Sequence, residues 1–388
     1  MSRANPFAGL RMSVVTGICV RHDAISAATL ATYRCLDSAS TGNVRLYAGV
    51  VEFPGVRHRV TASPTDLLTD PHFLDSDIIV YHFGVRFDLF DALVLGNGKA
   101  RQYVRYHNIT PRDLVPEDAW QVIDRSLAQL DHLAHAAHVW CDSETNRRHL
   151  LELGHPPERS SVLALPVDLG PVTRDPIADR QGPVRIVFIG RMVASKGVLD
   201  LVHALGRVAE RSSAPFRVFL AGNRNFSDPG FEAEVREAIA AGGLEDRIHW
   251  CGAIEDAEKH ALLRRSDLLV IPSYHEGFCV PVVEAFGAGC FVVGYDSSNL
   301  PAISNGLARL VPTGDVEALA GALGNAIDAF AAGRSGAREP EVDCDDGARP
   351  LSAFRVDARA WAESFDFDHY RRRFLESLGA LESEAKAP

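Results

Sequence analysis

Short apolar runs alternate with longer amphipathic stretches along most of the chain. In the first half, the apolar runs predict six strands, at residues 12–20, 43–50, 77–82, 102–106, 139–141 and 161–165. Between them the pattern predicts helical stretches at 27–35, 116–138 and 145–153. Continuous apolar strands that alternate with helices are typical of a parallel sheet covered on both faces.

The second half repeats this pattern after a proline-rich stretch. Its predicted strands lie at 184–189, 217–220, 247–250, 268–271 and 290–294. Four prolines, at positions 166, 171, 176 and 183, predict an irregular linker between the halves. We therefore expect domains at 1–175 and 176–360, followed by a helical segment at 361–388. The polar, glycine- and proline-rich stretch 333–350 is expected to be a mobile surface excursion.

Composition narrows the class of protein. A length of 388 residues suits two domains, and 46% hydrophobic with 23% charged residues leads us to expect an ordinary soluble globular protein with an ample core. The net charge of −11 disfavours a nucleic-acid partner. No apolar run approaches the roughly 18 residues of a membrane span, and no signal peptide is recognisable. Seven cysteines without C-x-x-C spacing indicate a reduced compartment, so we expect a cytoplasmic protein with at most peripheral membrane association.

The candidate chemistry centres on residues 266–303, which read as a strand, a loop, a helix and a second strand. Glu276 lies in the loop and Glu284 in the helix. Loops at the carboxyl ends of parallel strands bind ligands in open α/β sheets. The backbone N–H groups of Phe278, Cys279 and Val280 would form an anion site at the helix start. Two carboxylates beside a phosphate site suit a ligand that also carries hydroxyl groups.

A second candidate site follows the strand at 184–189. The chain there reads Gly190-Arg191, then Ser195-Lys196-Gly197, and then a helix at 198–211. Two cations beside the positive end of a helix dipole are unfavourable unless an anion binds between them. This stretch therefore favours a bound anion over a pair of surface cations.

Polar residues also follow strands of the first half. His22 and Asp23 come after the first strand, where Asp23 could meet a substrate or simply cap the next helix. His82 ends another strand, and His107-Asn108 follows the strand at 102–106. We expect His107 to belong to the site, whereas His82 could equally be a packing residue.

The segment E-G-F-C-V-P-V-V-E, at 276–284, resembles the E-x7-E signature of the retaining glycosyltransferases of family 4, the glycosyl transferases group 1. The segment G-R-M-V-A-S-K-G, at 190–197, is similar to the G-R-x(4)-K-G pattern of the same family. The resemblance is strong over residues 184–320. It implies the GT-B fold, in which two Rossmann-like domains face each other across a cleft and a C-terminal helix crosses back to the first domain. Ala302 stands where the family often has a glutamate.

The resemblance also implies an activity. A sugar would move from a nucleoside-diphosphate sugar, UDP- or GDP-linked, to a glycan or lipid-linked acceptor, with its anomeric configuration retained. The expected setting is bacterial surface-polysaccharide synthesis, without a metal or cofactor. Glu276 would bind sugar hydroxyls and Glu284 the ribose. Arg191 and Lys196 would meet the diphosphate, and His107 the sugar or the charge of the transition state.

The resemblance carries further residues into the site. Those implied at the donor are Gly190, Asn223, Ala253, Ile254, Gly277, Phe278, Cys279 and Val280. Those proposed for the acceptor side are His22, Asp23, His82 and Asn108.

Two other functions remain open on the sequence. One is a same-fold sugar-nucleotide epimerase or a phosphorylase, against which the context of the E-x7-E segment argues. The other is a catalytically inactive sugar-nucleotide-binding partner, against which the complete set of Arg191, Lys196, Glu276 and Glu284 argues. A nicotinamide enzyme is disfavoured because no G-x-G-x-x-G follows any strand.

Overall fold

The computed structural model describes residues 5–171, 182–222, 228–334, 336 and 339–385. The chain forms two compact units. Unit 1 comprises Met1–Pro166 together with Phe367–Pro388, and unit 2 comprises Val167–Asp366. The predicted boundary at 175 and much of the predicted linker lie outside the described residues. No helix within the described ranges is both long enough and apolar enough to cross a membrane.

Unit 1 is built on a parallel sheet of seven strands. Its strands are β1 (Met12–Val15), β2 (Val44–Ala48), β3 (His58–Val60), β4 (Ile78–Phe83), β5 (Arg101–Tyr106), β6 (His138–Cys141) and β7 (Ser160–Val162). They lie in the order β3-β2-β1-β4-β5-β6-β7. The order reverses between β1 and β4, which is where ligands bind in sheets of this kind.

Helices cover both faces of this sheet. They are α1 (Ala24–Ala39), α2 (Pro64–Leu68), α3 (Pro71–Leu74), α4 (Ala92–Leu95), α5 (Trp120–Gln129) and α6 (Glu144–Glu152). Successive residues of β1 face opposite ways: Val14 joins the core beneath α1, whereas Val15 joins the core on the other side. Both side chains are fully buried. This explains why the strand is apolar without alternation.

Unit 2 has a parallel sheet of six strands and a small hairpin. The strands are β8 (Val184–Ile189), β9 (Phe216–Ala221), β10 (Ile248–Gly252), β11 (Leu268–Ile271), β12 (Phe291–Asp296), β13 (Arg309–Pro312), β14 (Glu341–Cys344) and β15 (Gly347–Pro350). The sheet order is β10-β9-β8-β11-β12-β13, and β14 pairs with β15. Its switch point lies between β8 and β11, the two strands whose following loops carry the candidate chemistry.

The helices of unit 2 connect these strands. They are α7 (Val198–Arg211), α8 (Pro229–Ala241), α9 (Asp256–Arg265), α10 (Val280–Ala288), α11 (Leu300–Ser304), α12 (Val316–Arg334) and α13 (Leu351–Glu363). The predicted strands of this half are all present, with ends within one or two residues of the predicted ones.

The last helix, α14 (Phe367–Glu384), returns to unit 1, as the resemblance implied. Tyr370 and Thr32 share a hydrogen bond of 2.8 Å, and the Trp140 indole donates to Ser377 at 2.9 Å. Phe374 is fully buried and packs edge-on against Trp140, with 5.3 Å between ring centroids. This apolar face fixes the helix on unit 1.

Several elements differ from the prediction, among them β3, which was not predicted. The first strand ends at Val15 rather than at residue 20, and Cys19 makes only an isolated bridge to Val51. The helical stretch predicted at 116–138 is broken, because α5 ends at Gln129 and a 3-10 helix, Leu130–His135, leads into β6. α1 begins earlier and ends later than predicted.

The stretch predicted to be a mobile excursion instead contains the β14–β15 hairpin. Val342 and Cys344 alternate with charged residues in β14, and each is only 2% exposed. Asp345 accepts a hydrogen bond from the backbone of Leu310 at 3.1 Å. The alternation of apolar and charged residues in β14 spans only four positions, so the polar composition of the surrounding stretch obscures it. It is nevertheless enough to bury one face of the hairpin.

Candidate active site

The loop between β8 and α7 is shaped by two glycine contacts. Gly197 adopts a φ of +64°, and a Cβ there would lie 1.9 Å from the carbonyl oxygen of Pro272. A Cβ on Gly222 would lie 2.0 Å from the carbonyl oxygen of Gly190. Only glycine permits these approaches. They bring the β8 loop against the end of β11 on one side and the end of β9 on the other.

Lys196 and Glu276 meet at this junction. The Lys196 ammonium lies 2.7 Å from Oε1 of Glu276, and the two side chains are 18% and 13% exposed. The backbone N–H of Tyr274 donates to the carbonyl of Ser195 at 2.9 Å, which ties the two loops together beside the ion pair. The structure thus brings together two residues predicted on separate motifs. Arg191 is exposed at the start of the first loop.

Asp200, a residue that the sequence analysis did not single out, links two tyrosines near this junction. Its Oδ2 atom accepts hydrogen bonds from the hydroxyls of Tyr274 and Tyr295, both at 2.7 Å. Burial and the neighbouring Asp200 carboxylate raise the pKa of Tyr274 to about 12. Both hydroxyls therefore stay protonated and keep donating, so the first turn of α7 holds the loop that carries Glu276. The two tyrosines lie far from Asp200 in the sequence, so no local spacing predicts these hydrogen bonds.

The loop between β11 and α10 is also held by residues that follow β12. Ser298 and His275 share a hydrogen bond of 3.0 Å, and Asn299 donates to the carbonyl of Phe278 at 2.9 Å. Phe278 is buried and packs edge-on against Phe365, with 5.8 Å between centroids. These contacts leave the Glu276 loop little freedom.

Cys279 precedes α10 in a left-handed conformation, with φ of +76°. This backbone state is uncommon for a residue with a side chain and often marks functional loops. Burial raises the pKa of the Cys279 thiol well above its usual range, so the thiol is uncharged and unreactive. Pro281 occupies the first turn of α10. Gly277 and Val280 complete this loop, whose role as an anion site remains a prediction.

Glu284 lies in α10 and is only 4% exposed. Its Oε1 atom lies 2.7 Å from the ammonium group of Lys259, a residue of α9 that sequence reasoning did not single out. Burial raises the pKa of the Glu284 carboxyl, and Lys259 acts in the opposite direction. A lysine 25 positions before a glutamate carries no recognisable spacing, and only the packing of α9 on α10 joins them.

The loop after β10 contains Ala253, which is exposed, and Ile254, which is half-buried. Gly252 precedes them at a φ of +69°, and its carbonyl accepts from the N–H of Gly222 at 2.9 Å. The ends of β9 and β10 therefore lie side by side. Asn223, predicted to belong to the nucleotide site, lies outside the described residues.

Unit 1 contains a buried chain of polar groups at the ends of β4, β5 and β6. Arg105 donates to Asp142 Oδ1 at 2.6 Å, and Asp142 Oδ2 lies 2.7 Å from Nδ1 of His107. The other ring nitrogen of His107, Nε2, lies 2.9 Å from Nδ1 of His82. His82 and His107 are thus brought together, and both are linked to two residues that sequence reasoning missed.

The charges along this chain decide which atoms carry protons. Burial lowers the pKa of His82 well below its usual range, and His107 and Arg105 add to this effect. A neutral His82 carries one ring proton, so either ring can be the donor between His82 Nδ1 and His107 Nε2, while the Nδ1–H of His107 donates to Asp142. Among the described residues, His82 Nε2 is buried without a hydrogen-bond partner. Both ring nitrogens of His107 are therefore engaged inside unit 1.

The remaining first-unit candidates are separate features. Asp23 caps α1, where its carboxylate accepts from the backbone N–H of Ser26 at 2.8 Å. The capping alternative left open on the sequence is therefore present. His22 is exposed at a φ of +59°, and Asn108 has a φ of +105° immediately after His107. Their role toward an acceptor remains a prediction.

Comparison with solved structures identifies the class. The chain is similar to Anabaena Alr3699/HepE in complex with UDP and glucose, with a TM-score of 0.74 and 17% identity over 96% of this chain and all of that one. At this identity the likeness concerns the fold. With its two parallel-sheet α/β units, the chain has the GT-B fold.

The family follows from sequence comparison of the second unit. Residues 183–329, which include all six parallel strands of unit 2, match the family described as glycosyl transferases group 1. The MMP alpha-(1->4)-mannosyltransferase of Mycolicibacterium hassiacum is 30% identical over 44% of this chain and 40% of that protein. The amylovoran biosynthesis glycosyltransferase AmsK of Erwinia amylovora is 27% identical over 64% of this chain and 60% of that protein. The chain thus aligns with less than two thirds of the length of each of these relatives. Together the matches support a group 1 glycosyltransferase.

Proposed function

We propose that the chain transfers a sugar from a UDP- or GDP-linked donor to a glycan or lipid-linked acceptor and retains the anomeric configuration. One observation carries the proposal. The Lys196 ammonium lies 2.7 Å from the Glu276 carboxylate at the switch point of unit 2. A cation suited to a diphosphate and a carboxylate suited to sugar hydroxyls therefore lie side by side, as the junction between the two parts of a nucleotide sugar requires.

In this mechanism the cations act on the leaving group. The bond between the anomeric carbon and the diphosphate oxygen breaks, and negative charge accumulates on the diphosphate. Arg191 and Lys196 lower the barrier by placing positive charge near that negative charge, and the ion pair with Glu276 already holds Lys196 in position. The acceptor hydroxyl attacks from the face that the diphosphate leaves, and its proton passes to the departing phosphate oxygen. No protein nucleophile takes part.

The carboxylates bind rather than attack. Glu276 accepts hydrogen bonds from sugar hydroxyls and Glu284 from the ribose, since ionised carboxylates are strong acceptors for such donors. The two residues are held by different lysines, Lys196 and Lys259. The nucleotide and sugar ends of the donor thus have separately supported contacts.

His107 has an indirect role in this proposal. Because His82 and Asp142 already occupy its two ring nitrogens, a hydroxyl contact from the ring requires exchange of the His82 bond. The ring fixes the start of the loop that contains Asn108.

The proposed setting in bacterial surface-polysaccharide synthesis rests on the family resemblance. The names of AmsK and of the mannosyltransferase agree with glycosyl transfer.

The test is a panel of nucleotide sugars incubated with the protein and a mixture of glycan and lipid-linked acceptors, with free nucleoside diphosphate as the readout. We expect release of UDP or GDP that depends on the acceptor. Melting temperatures with UDP, GDP and ADP would rank the base, because a ligand that binds the folded state stabilises it. Binding without release would instead indicate an inactive partner protein. Interconversion of the donor without release would indicate an epimerase.

A further inference from the structure

We propose that Lys259 is a positioning residue for donor binding, which holds the Glu284 carboxylate ionised and oriented toward the ribose hydroxyls of a nucleoside diphosphate. The proposal deepens the proposed function and rests on it. It assigns a role to a residue outside both recognised motifs.

The geometry supports a dedicated contact. α9 begins with a capping box in which Glu255 and Glu258 bond each other's backbone N–H groups, so its first turn is rigid. Lys259 follows directly, and its ammonium lies 2.7 Å from Glu284 and 3.0 Å from Asp256. α9 also packs against α10, the helix that contains Glu284. The lysine therefore reaches the carboxylate from a fixed helix rather than from a loop.

The burial of the pair shows why a cation is needed. Glu284 is 4% exposed, whereas the Lys259 side chain is 21% exposed. A carboxylate removed from water neutralises itself unless a cation compensates the loss of hydration. Burial would lower the pKa of Lys259, but Glu284 and Asp256 outweigh it and raise that pKa above its usual value. The lysine is thus charged at neutral pH and keeps the carboxylate ionised.

The protonation state decides what Glu284 can bind. An ionised carboxylate offers acceptors on both oxygens, and Lys259 contacts Oε1, so acceptor capacity remains for ribose hydroxyls. A protonated carboxyl presents a donor on one oxygen and loses the stronger, charge-assisted bonds. Removing the lysine should therefore weaken the nucleotide without touching the sugar end of the donor.

The ion pair could instead only stabilise the packing of α9 on α10. The pH dependence of nucleotide binding distinguishes the two roles. Without the lysine, Glu284 should be neutral at pH 7 and ionise as the pH rises, so nucleotide affinity should recover toward pH 9. If the ion pair is purely structural, nucleotide affinity should not recover at high pH. The charged or titratable groups that interact with Glu284 are Asp256, Lys259 and His260 of α9 and the Cys279 thiol of the preceding loop.

The experiment compares Lys259→Met, Lys259→Gln and Lys259→Arg by donor KM, kcat and calorimetric binding of UDP and GDP from pH 6 to 9. We expect Lys259→Met and Lys259→Gln to raise the donor KM about tenfold at pH 7, which corresponds to about 1.4 kcal/mol, with kcat nearly unchanged. The increase should shrink toward pH 9, and Lys259→Arg should restore most of the affinity. Lys99→Met, which removes a lysine paired with Asp77 in unit 1, is the matched control and should change neither parameter.

A double variant sharpens the test. If Glu284 is already neutral in Lys259→Met, adding Glu284→Gln should raise KM little further at pH 7. The proposal fails if the lysine variants, shown by melting to be folded, bind nucleotide like the wild type. It also fails if their loss does not depend on pH. Absence of nucleotide binding by the wild type would instead overturn the proposed function itself.

Discussion

Lys196 and Glu276 form an ion pair of 2.7 Å, although 80 positions separate them in the chain. The pair joins the loop after β8 to the loop after β11. It is reinforced by the backbone bond from Tyr274 to Ser195 and by the close approach of Gly197 to Pro272. One lysine therefore compensates the charge of Glu276, and in the proposed function it also presents a cation to the diphosphate of the donor.

Glu276→Gln should reduce kcat by about 10²-fold or more, because the carboxylate contacts the part of the donor whose charge changes during the reaction. Lys196→Met should act in the same direction, and the double variant should lose less than the sum of the two single effects, since the residues are in contact. Steady-state kinetics on the three variants provides the measurement.

Glu317→Gln is the control for this change. It also removes a paired carboxylate of unit 2, but Glu317 is 58% exposed and pairs with Arg207 and Arg211. Its kcat should equal that of the wild type. If Glu276→Gln also keeps the wild-type kcat, the assignment of the β11 loop as the catalytic centre is wrong.

Gly197→Ala should destabilise unit 2 and raise the donor KM. The added methyl group would lie 1.9 Å from the Pro272 carbonyl oxygen at a φ of +64°, so the β8 loop must move and Lys196 with it. We expect a loss of about 2 kcal/mol or more, from strain and overpacking together.

Gly206→Ala tests the same exchange inside α7, the helix that follows Gly197. A Cβ at Gly206 meets no atom within 4 Å. Alanine should therefore stabilise the helix there by about 0.5–1 kcal/mol. Chemical denaturation of both variants gives the comparison, and equal stability changes would contradict the close-contact argument.

Acidification should destabilise the protein partly through His138. Burial lowers the pKa of His138 to about 4, and its Nε2 shares a hydrogen bond of 2.8 Å with Ser161. The unfolded chain binds the proton near pH 6.5 and the folded chain does not, so this contribution is complete above pH 6.5 and is lost as the pH falls below it. Between pH 7 and 5 we expect a loss on the order of 1–2 kcal/mol.

His138→Gln should remove that part of the pH dependence, so its stability should fall less than the wild type between pH 7 and 5. His135→Gln changes an exposed histidine three positions earlier and should leave the wild-type slope intact. Urea denaturation at several pH values makes the comparison. A His138→Gln slope equal to that of the wild type would show that this histidine is not the titrating group.

Turnover should survive excess chelator, because Arg191, Lys196 and the start of α10 are proposed to meet the diphosphate without a divalent ion. The measurement is the rate of nucleoside diphosphate release with and without EDTA. Loss of activity that magnesium or manganese restores would contradict this prediction, and the charge of the leaving group would then need another counterion.

Most of the parallel strands were predictable because each is a short apolar run between polar turns, whereas β3, a largely exposed strand of three residues, was not predicted. The glutamates of the β11 loop and of α10, and the lysine of the β8 loop, could be singled out by local spacing. Lys259, Asp200 and Asp142 could not, because their partners come from distant strands and helices. Such contacts depend on tertiary packing and leave no periodic signal.

The break in the helical stretch at 116–138 has a similar origin. Its apolar residues continue at helical spacing, but the backbone N–H of Ala137 donates to the carbonyl of Gln102, and His138 begins β6. Pairing with β5 overrides the local helical preference. The hairpin at 341–350 shows the opposite case, in which two buried side chains outweigh a polar composition.

The left-handed backbone of Cys279 has a consequence for sequence variation. At a φ of +76°, glycine is unstrained and asparagine is tolerated, whereas the branched side chains of valine, isoleucine and threonine are strongly disfavoured. Natural variants and selected libraries should therefore be restricted at this position to a few residue types. The restriction comes from the backbone, and it should persist even where the thiol is dispensable.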